Sequence, residues 1–180
     1  MARAPVPEAP LVTTEEGMKP EGDGWFVVNV ADAIGLSFDE TLYDFGFEAE
    51  RGDFPHFGIN VSVLGPGKPA AMYHAEAGQE AFLVLQGECV LIVEDQERPL
   101  RQWDFFYCPP HTAHVIVGAG DAPCAVLMVG ARNAGPDLIY PASPTAAKYG
   151  ASVEEDTEDP KDAYAGWAEP HHARFPWPPA

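Results

Sequence analysis

Between residues 57 and 131 the chain passes through six short runs rich in β-branched and aromatic residues: "FGINVSVL", "AFLVLQ", "CVLIVE", "DFFYC", "HVIV" and "CAVLMV". No helix-length apolar period lies between them, and runs this short at this spacing are the signature of an antiparallel sandwich or barrel. The breakers fall where hairpins need them. "GPGKP" follows the first run, "QGE" separates "AFLVLQ" from "CVLIVE", and "EDQERP" and "GAGDAP" turn the later strands.

With 180 residues the chain suits one domain with a substantial core. Residues 1–24, rich in Pro, Glu and Gly, read as a flexible N-terminal arm, with structure expected to begin at "WFVVNV", Trp25 to Val30. The barrel is expected over 25–132, followed by an acidic C-terminal extension over 133–180 with short helices. Ser143 as N-cap, Pro144 in the first turn and Gly150 as a stop predict one helix, and Asp159 with Pro160 predicts another. "EEDTED" between them reads as a solvated linker.

The net charge of −18 repels phosphate backbones and anionic lipid, which argues against nucleic acid or a membrane surface as partner. No apolar run approaches the ~20 residues of a membrane span and the opening residues carry no signal-like stretch, so a cytoplasmic location is expected. Cys89, Cys108 and Cys124 lie in apolar contexts without a CxxC pair and read as buried free thiols. Phe57, Phe82, Trp103, Phe105, Phe106 and Tyr107 read first as core, with alternation turning half of those on strands inward, where some could line a pocket.

Chemistry concentrates in "MYHAEAGQEAFLVLQGE", Met72 to Glu88. Residues two apart on a strand share a face, so Met72, His74 and Glu76 project together. Ala77-Gly78-Gln79 makes a turn, and Glu80 opens the next strand on the face of Phe82 and Val84; a hairpin here sets Glu80 beside His74 and Glu76. A carboxylate at the mouth of an apolar strand calls for a cation, because an unpaired buried charge is strongly unfavourable. His114 follows the Pro109-Pro110 turn and opens "HVIV", and is the fourth candidate. Two imidazoles and two carboxylates make a neutral set around a divalent ion, with positions left for water or substrate. The structural alternative is a hydrogen-bonded polar cluster inside the barrel. His111, in the proline turn, reads as rim.

These residues are similar to the two signature motifs of the cupin superfamily. The first motif runs glycine, His-x-His, glutamate, glycine. Gly67 stands one residue further from His74 than that pattern asks, Glu76 takes the second histidine's place, and Glu80 and Gly87 keep the spacing. The second motif runs Pro-x-Gly, His, Asn; here Pro109-Pro110-His111 precedes His114, and Gly118 stands where asparagine is usual.

The resemblance covers residues 57–131 and implies a mainly β double-stranded β-helix (jelly-roll) barrel; the short C-terminal helical extension lies outside it. The resemblance also implies one divalent transition metal (Fe, Mn, Zn or Ni) at His74, Glu76, Glu80 and His114, a small-molecule substrate or ligand, and a homodimer. If Glu76 binds, the two carboxylates favour harder ions; if it turns away, His74, Glu80 and His114 make a two-His-one-carboxylate set and Glu76 is available as a catalytic base. The activity implied is that of a metal-dependent dioxygenase or isomerase, and the alternative is a non-catalytic module that binds a small molecule or metal.

Overall fold

The computed structural model describes residues 4–48, 53–132 and 134–174. In chain order its elements are β1 (Leu11–Thr13), β2 (Met18–Pro20), β3 (Gly35–Ser37), β4 (Leu42–Gly46), β5 (Phe57–Leu64), β6 (Ala75–Glu76) and β7 (Glu80–Gln86). There follow β8 (Glu88–Val93), β9 (Gln96–Arg101), β10 (Phe105–Cys108), β11 (His114–Ala119), β12 (Cys124–Ala131), β13 (Leu138–Ile139), α1 (Pro144–Ala147), α2 (Pro160–Ala163) and β14 (His171–Ala173).

The larger sheet has the order β10-β7-β12-β5-β4-β3-β14 and the smaller one β11-β8-β9, with every pairing antiparallel. Alternation along the strands creates the core between them. Leu42, Leu64, Phe82, Val84, Cys108, Cys124 and Val126 of the larger sheet meet Cys89, Leu91 and Ile116 of the smaller one, all buried. The outward neighbours form separate clusters, Phe45, Val61, Val63 and Ala125 on one side and Ile92, Val115 and Val117 beneath Ala146 and Ala151 on the other. This is the jelly-roll barrel expected, and the six apolar runs fall on β5, β7, β8, β10, β11 and β12.

Both C-terminal helices form at the expected caps: Ser143 Oγ accepts from Ala146 N, and the Asp159 side chain accepts from Lys161 N. Gly87, at φ +76, reverses the chain between β7 and β8, where a Cβ would lie 2.9 Å from Cys124 Cα. The three cysteines are buried and free.

Four local readings are corrected. The stretch "EDQERP" is not only a turn: Glu94 and Asp95, both at positive φ, make the reversal, and Gln96–Arg101 is a strand paired with β8. It is an exposed edge strand carrying Pro99, so it lacks the apolar alternation that marks its neighbours. "WFVVNV" forms no ladder; Trp25 makes an isolated bridge to Glu8, and Val27 is exposed, because strand propensity without a partner strand does not make a strand. Within the stretch read as a loose arm, β1 pairs with β2. Finally, Phe57, Trp103, Phe105 and Tyr107 are exposed rather than core, whereas Phe82 is buried and Phe106 packs against the core.

Candidate metal centre

Three of the four expected ligands converge. His74 forms an isolated bridge with His114, the first residue of β11, and Glu80 opens β7 in the opposite sheet. The expected hairpin is not there: β6 pairs with β13, and β7 pairs with β10 and β12. Residues 77–79 therefore carry the chain from one layer to the other, and Glu80 faces the histidines across the barrel instead of lying beside them in a ladder. One potential ligand atom from each of His74, Glu80 and His114 lies within 4.8 Å of the others.

The imidazoles are oriented from behind. His74 Nδ1 lies 2.7 Å from Met72 O and His114 Nδ1 lies 3.0 Å from Thr112 O. A carbonyl only accepts, so each Nδ1 carries the proton and each Nε2 is left to face the interior. His114 Nε2 stands 3.1 Å from Glu80 Oε2, and Cys108 Sγ lies 3.3 Å from its Nδ1. Phe82 and Phe106 close on the His114 ring, with centroids at 5.2 and 6.0 Å. Residue alternation explains the wall: Phe82 follows Glu80 on one face of β7, and Phe106 faces in from β10.

The electrostatics fit a cation. Glu80 Oε2 is buried and takes no hydrogen bond. Burial lowers the His114 pKa, but Cys108 and the Glu80 carboxylate, 3.1 Å from its ring, outweigh burial and push His114 up to about 10. Burial, and then the charge of His114, hold His74 below its ordinary value. A proton on His114 thus stands between the imidazole and the orphaned oxygen, where a divalent ion satisfies both at once. Two neutral imidazoles and one carboxylate suit Fe, Mn, Zn or Ni.

Glu76 is not in the three-residue group. Its Oε1 would lie 2.7 Å from a Cβ on Gly78, so its carboxylate folds back over the 76–79 turn, and its carbonyl accepts from His111 N. His111 is exposed, as read.

The C-terminal extension supplies a neighbour that sequence reasoning missed. Tyr140, buried, lies with its ring centroid 6.0 Å from that of His74, the planes tilted by 43°, and hydrogen-bonds to Tyr164, whose hydroxyl accepts from Met72 N at 3.2 Å. Burial, then Tyr164, pushes Tyr140 up to about 12. Since Met72 O is the acceptor that orients His74, the extension holds this candidate ligand from behind. Tyr164→Phe leaves the Met72 amide and the Tyr140 hydroxyl without an acceptor and is expected to cost about 2 kcal/mol. The check is a lower urea midpoint with unchanged m.

Residues 60–130 match the family model described as Cupin domain. A protein of Acidithiobacillus ferrooxidans is 28% identical over 54% of this chain, at a TM-score of 0.46; the alignment spans 63% of that protein, less than two thirds of it. A sugar phosphate isomerase from a cupin superfamily of Silicibacter pomeroyi is 25% identical over 59% of this chain and 73% of its own, at a TM-score of 0.47. A predicted oxalate decarboxylase of Thermotoga maritima shares the fold, with a TM-score of 0.53 over 58% of this chain and 97% of its own at 16% identity. No curated protein matches the chain.

Proposed function

We propose, from the premise that residues 60–130 are a cupin domain, that this chain holds one divalent transition metal at His74, Glu80 and His114 and uses it on a small organic molecule. The observation that carries the reading is the buried Glu80 Oε2, which takes no hydrogen bond and stands 3.1 Å from His114 Nε2, facing two imidazoles whose Nδ1 protons are already committed to backbone carbonyls. The reaction class is that of a metal-dependent isomerase or dioxygenase. Bound there, the metal supplies Lewis acidity toward ligand oxygen atoms and, if redox-active, dioxygen chemistry. Phe82 and Phe106 wall the site and exclude water. Glu76, one turn away, is the carboxylate we assign to move a proton.

Protein purified without added metal is expected to carry close to one equivalent of Fe, Mn, Zn or Ni by elemental analysis. A metal-free chain whose melting temperature ignores both chelator and added metal overturns the reading. Among the described residues no helix is long and apolar enough to cross a membrane.

A homodimer belongs to the same proposal, supported by the outer face of the larger sheet. Two cross-strand rows there contain no charge: Phe105, Leu83, Leu127 and Val61, and Tyr107, Ala81, Val129 and Ile59. Phe105 and Tyr107 are 63% and 52% exposed at its edge. On a chain of net charge −18, an uncharged apolar face is where two copies can meet at least electrostatic cost. Light scattering is expected to give twice the chain mass, and Phe105→Glu with Tyr107→Glu to give one. A wild-type monomer sinks the dimer.

A further inference from the structure

The inner face of the larger sheet carries polar side chains that the metal group does not use. Register sets Glu80 opposite Gly130, and Gly130 opposite Gly58. The next row on that face is Phe82, Met128 and Asn60, and the one after it Val84, Val126, Ser62 and Asp44. Asn60 Nδ2 and Ser62 Oγ both donate to Asp44 Oδ1, the latter at 2.9 Å, while Ser62 Oγ lies 3.5 Å from Met128 Sδ. Asp44 Oδ2 accepts no hydrogen bond among the described residues.

Burial along this face is uneven. Glu80, Gly130, Met128, Asn60 and Asp44 are half-buried, whereas Phe82, Val84, Val126, Leu64 and Leu42 are buried. A half-buried strip therefore leads diagonally from the metal group to Asp44.

Packing alone gives no reason for a carboxylate at that position, since desolvation disfavours its charge. Burial pushes the Asp44 carboxyl up from its ordinary value even though the hydrogen bonds from Asn60 and Ser62 pull it down. The ion pairs of the described residues engage Lys68 with Asp39, Lys148 with Glu97, Arg132 with Glu48 and protonated His114 with Glu80, and none reaches Asp44. Two neutral donors fix one carboxylate oxygen and leave the other without a donor among the described residues, an arrangement preorganised for a visiting cation.

We propose that Asp44, braced by Asn60 and Ser62, is a second recognition point of the ligand site and takes the ammonium group of a small amine whose oxygen donor is held at His74, Glu80 and His114. This deepens the proposed function and rests on its metal reading. Register sets Asp44 three strands and four residues from Glu80, on the order of 20 Å between Cα atoms, but its carboxylate is bonded to the Asn60 amide, and Asn60 lies two strands and two residues from Glu80, on the order of 12 Å. The ligand class is thus a short ω-amino acid or a similar chain with an acidic or carbonyl head and an amine tail.

The test uses zinc-loaded full-length protein and two probes, 5-aminopentanoate and pentanoate, titrated calorimetrically. Wild type is expected to prefer the amine by about tenfold, as for a hydrogen bond to a charged group. Asp44→Asn keeps an oxygen acceptor for Asn60 and Ser62 and is expected to erase the preference. Asp121→Asn, on an exposed loop, removes the same charge and is expected to keep it. In wild type, nuclear Overhauser contacts from the probe's amine-end methylene to the Met128 methyl and the Asn60 amide report the pose without any variant. Metal-dependent binding of both probes with equal preference in wild type and Asp44→Asn, or no such contacts, overturns this inference and leaves the metal reading standing. Failure to take up zinc overturns both.

Discussion

Glu80→Gln is expected to abolish the metal-dependent rise in melting temperature, about 10 °C at a free metal concentration a thousandfold above Kd, while leaving the metal-free protein within about 3 °C of wild type. The amide keeps the shape of the side chain but offers no anionic ligand, so affinity falls by more than the 10- to 100-fold typical of outer-shell changes, about a thousandfold. The metal-free chain changes little for a specific reason. In wild type Glu80 Oε2 is buried without a hydrogen bond, and its compensation is a proton on His114, 3.1 Å away. Glutamine removes the charge that needed compensating, and His114 returns to a neutral imidazole still oriented by Thr112 O. His114→Ala is the contrasting case. It also loses the metal, but it strands the carboxylate, and the metal-free protein is expected to lose about 3 kcal/mol as well. Melting curves of the three proteins with and without chelator separate a ligand from a structural ion pair: were Glu80 only structural, Glu80→Gln would lower the metal-free curve and leave no metal effect to abolish.

How much of this was legible in the sequence varies by residue for physical reasons. The six central strands announce themselves because each buries one face in a common core, which forces alternation or continuous apolarity. β9 does not, since an exposed edge strand has no apolar face to display. The grouping of His74, Glu80 and His114 was legible from strand alternation and from the resemblance to the cupin motifs, although the route was not: the short turn at 77–79 looks like a hairpin, and only the partners of β6 and β7 reveal a crossing between layers. Tyr140 and Tyr164 carried no signal, as their place behind His74 depends on how the extension folds back. The polar strip had a faint one. Asn60 and Ser62 in "FGINVSVL" share the face of Leu64, which the core claims, and polar residues at such positions ask for a partner that Asp44, 18 residues away from Ser62, supplies.

Gly118 marks the same boundary at a single residue, and Gly118→Asn is expected to destabilise the protein by about 3 kcal/mol or more, lowering the melting temperature by about 10 °C. The sequence says only that a glycine stands where the cupin pattern usually has asparagine. In the fold Gly118 is buried near the end of β11, and a Cβ there would lie 2.2 Å from Gly65 O and 2.9 Å from Leu64 O. Both are backbone atoms of the segment that leads off β5, and they are held in place. Gly67 N donates to Gly118 O at 2.8 Å, and Gly118 N donates to Lys68 O at 2.9 Å. Any side chain must push the 65–68 turn off β11 and break both bonds. Gly67→Ala is the control: its φ of +75 strains an L residue, but no atom lies within 4 Å of the added Cβ, so the cost is expected to stay near 1 kcal/mol. Equal losses in the two variants would mean that backbone conformation, and not the close approach of β11 to the 65–68 turn, sets the requirement for glycine. A loss several times larger at Gly118 means that this chain packs its turn directly on the strand that presents His114, in the space an asparagine side chain would need.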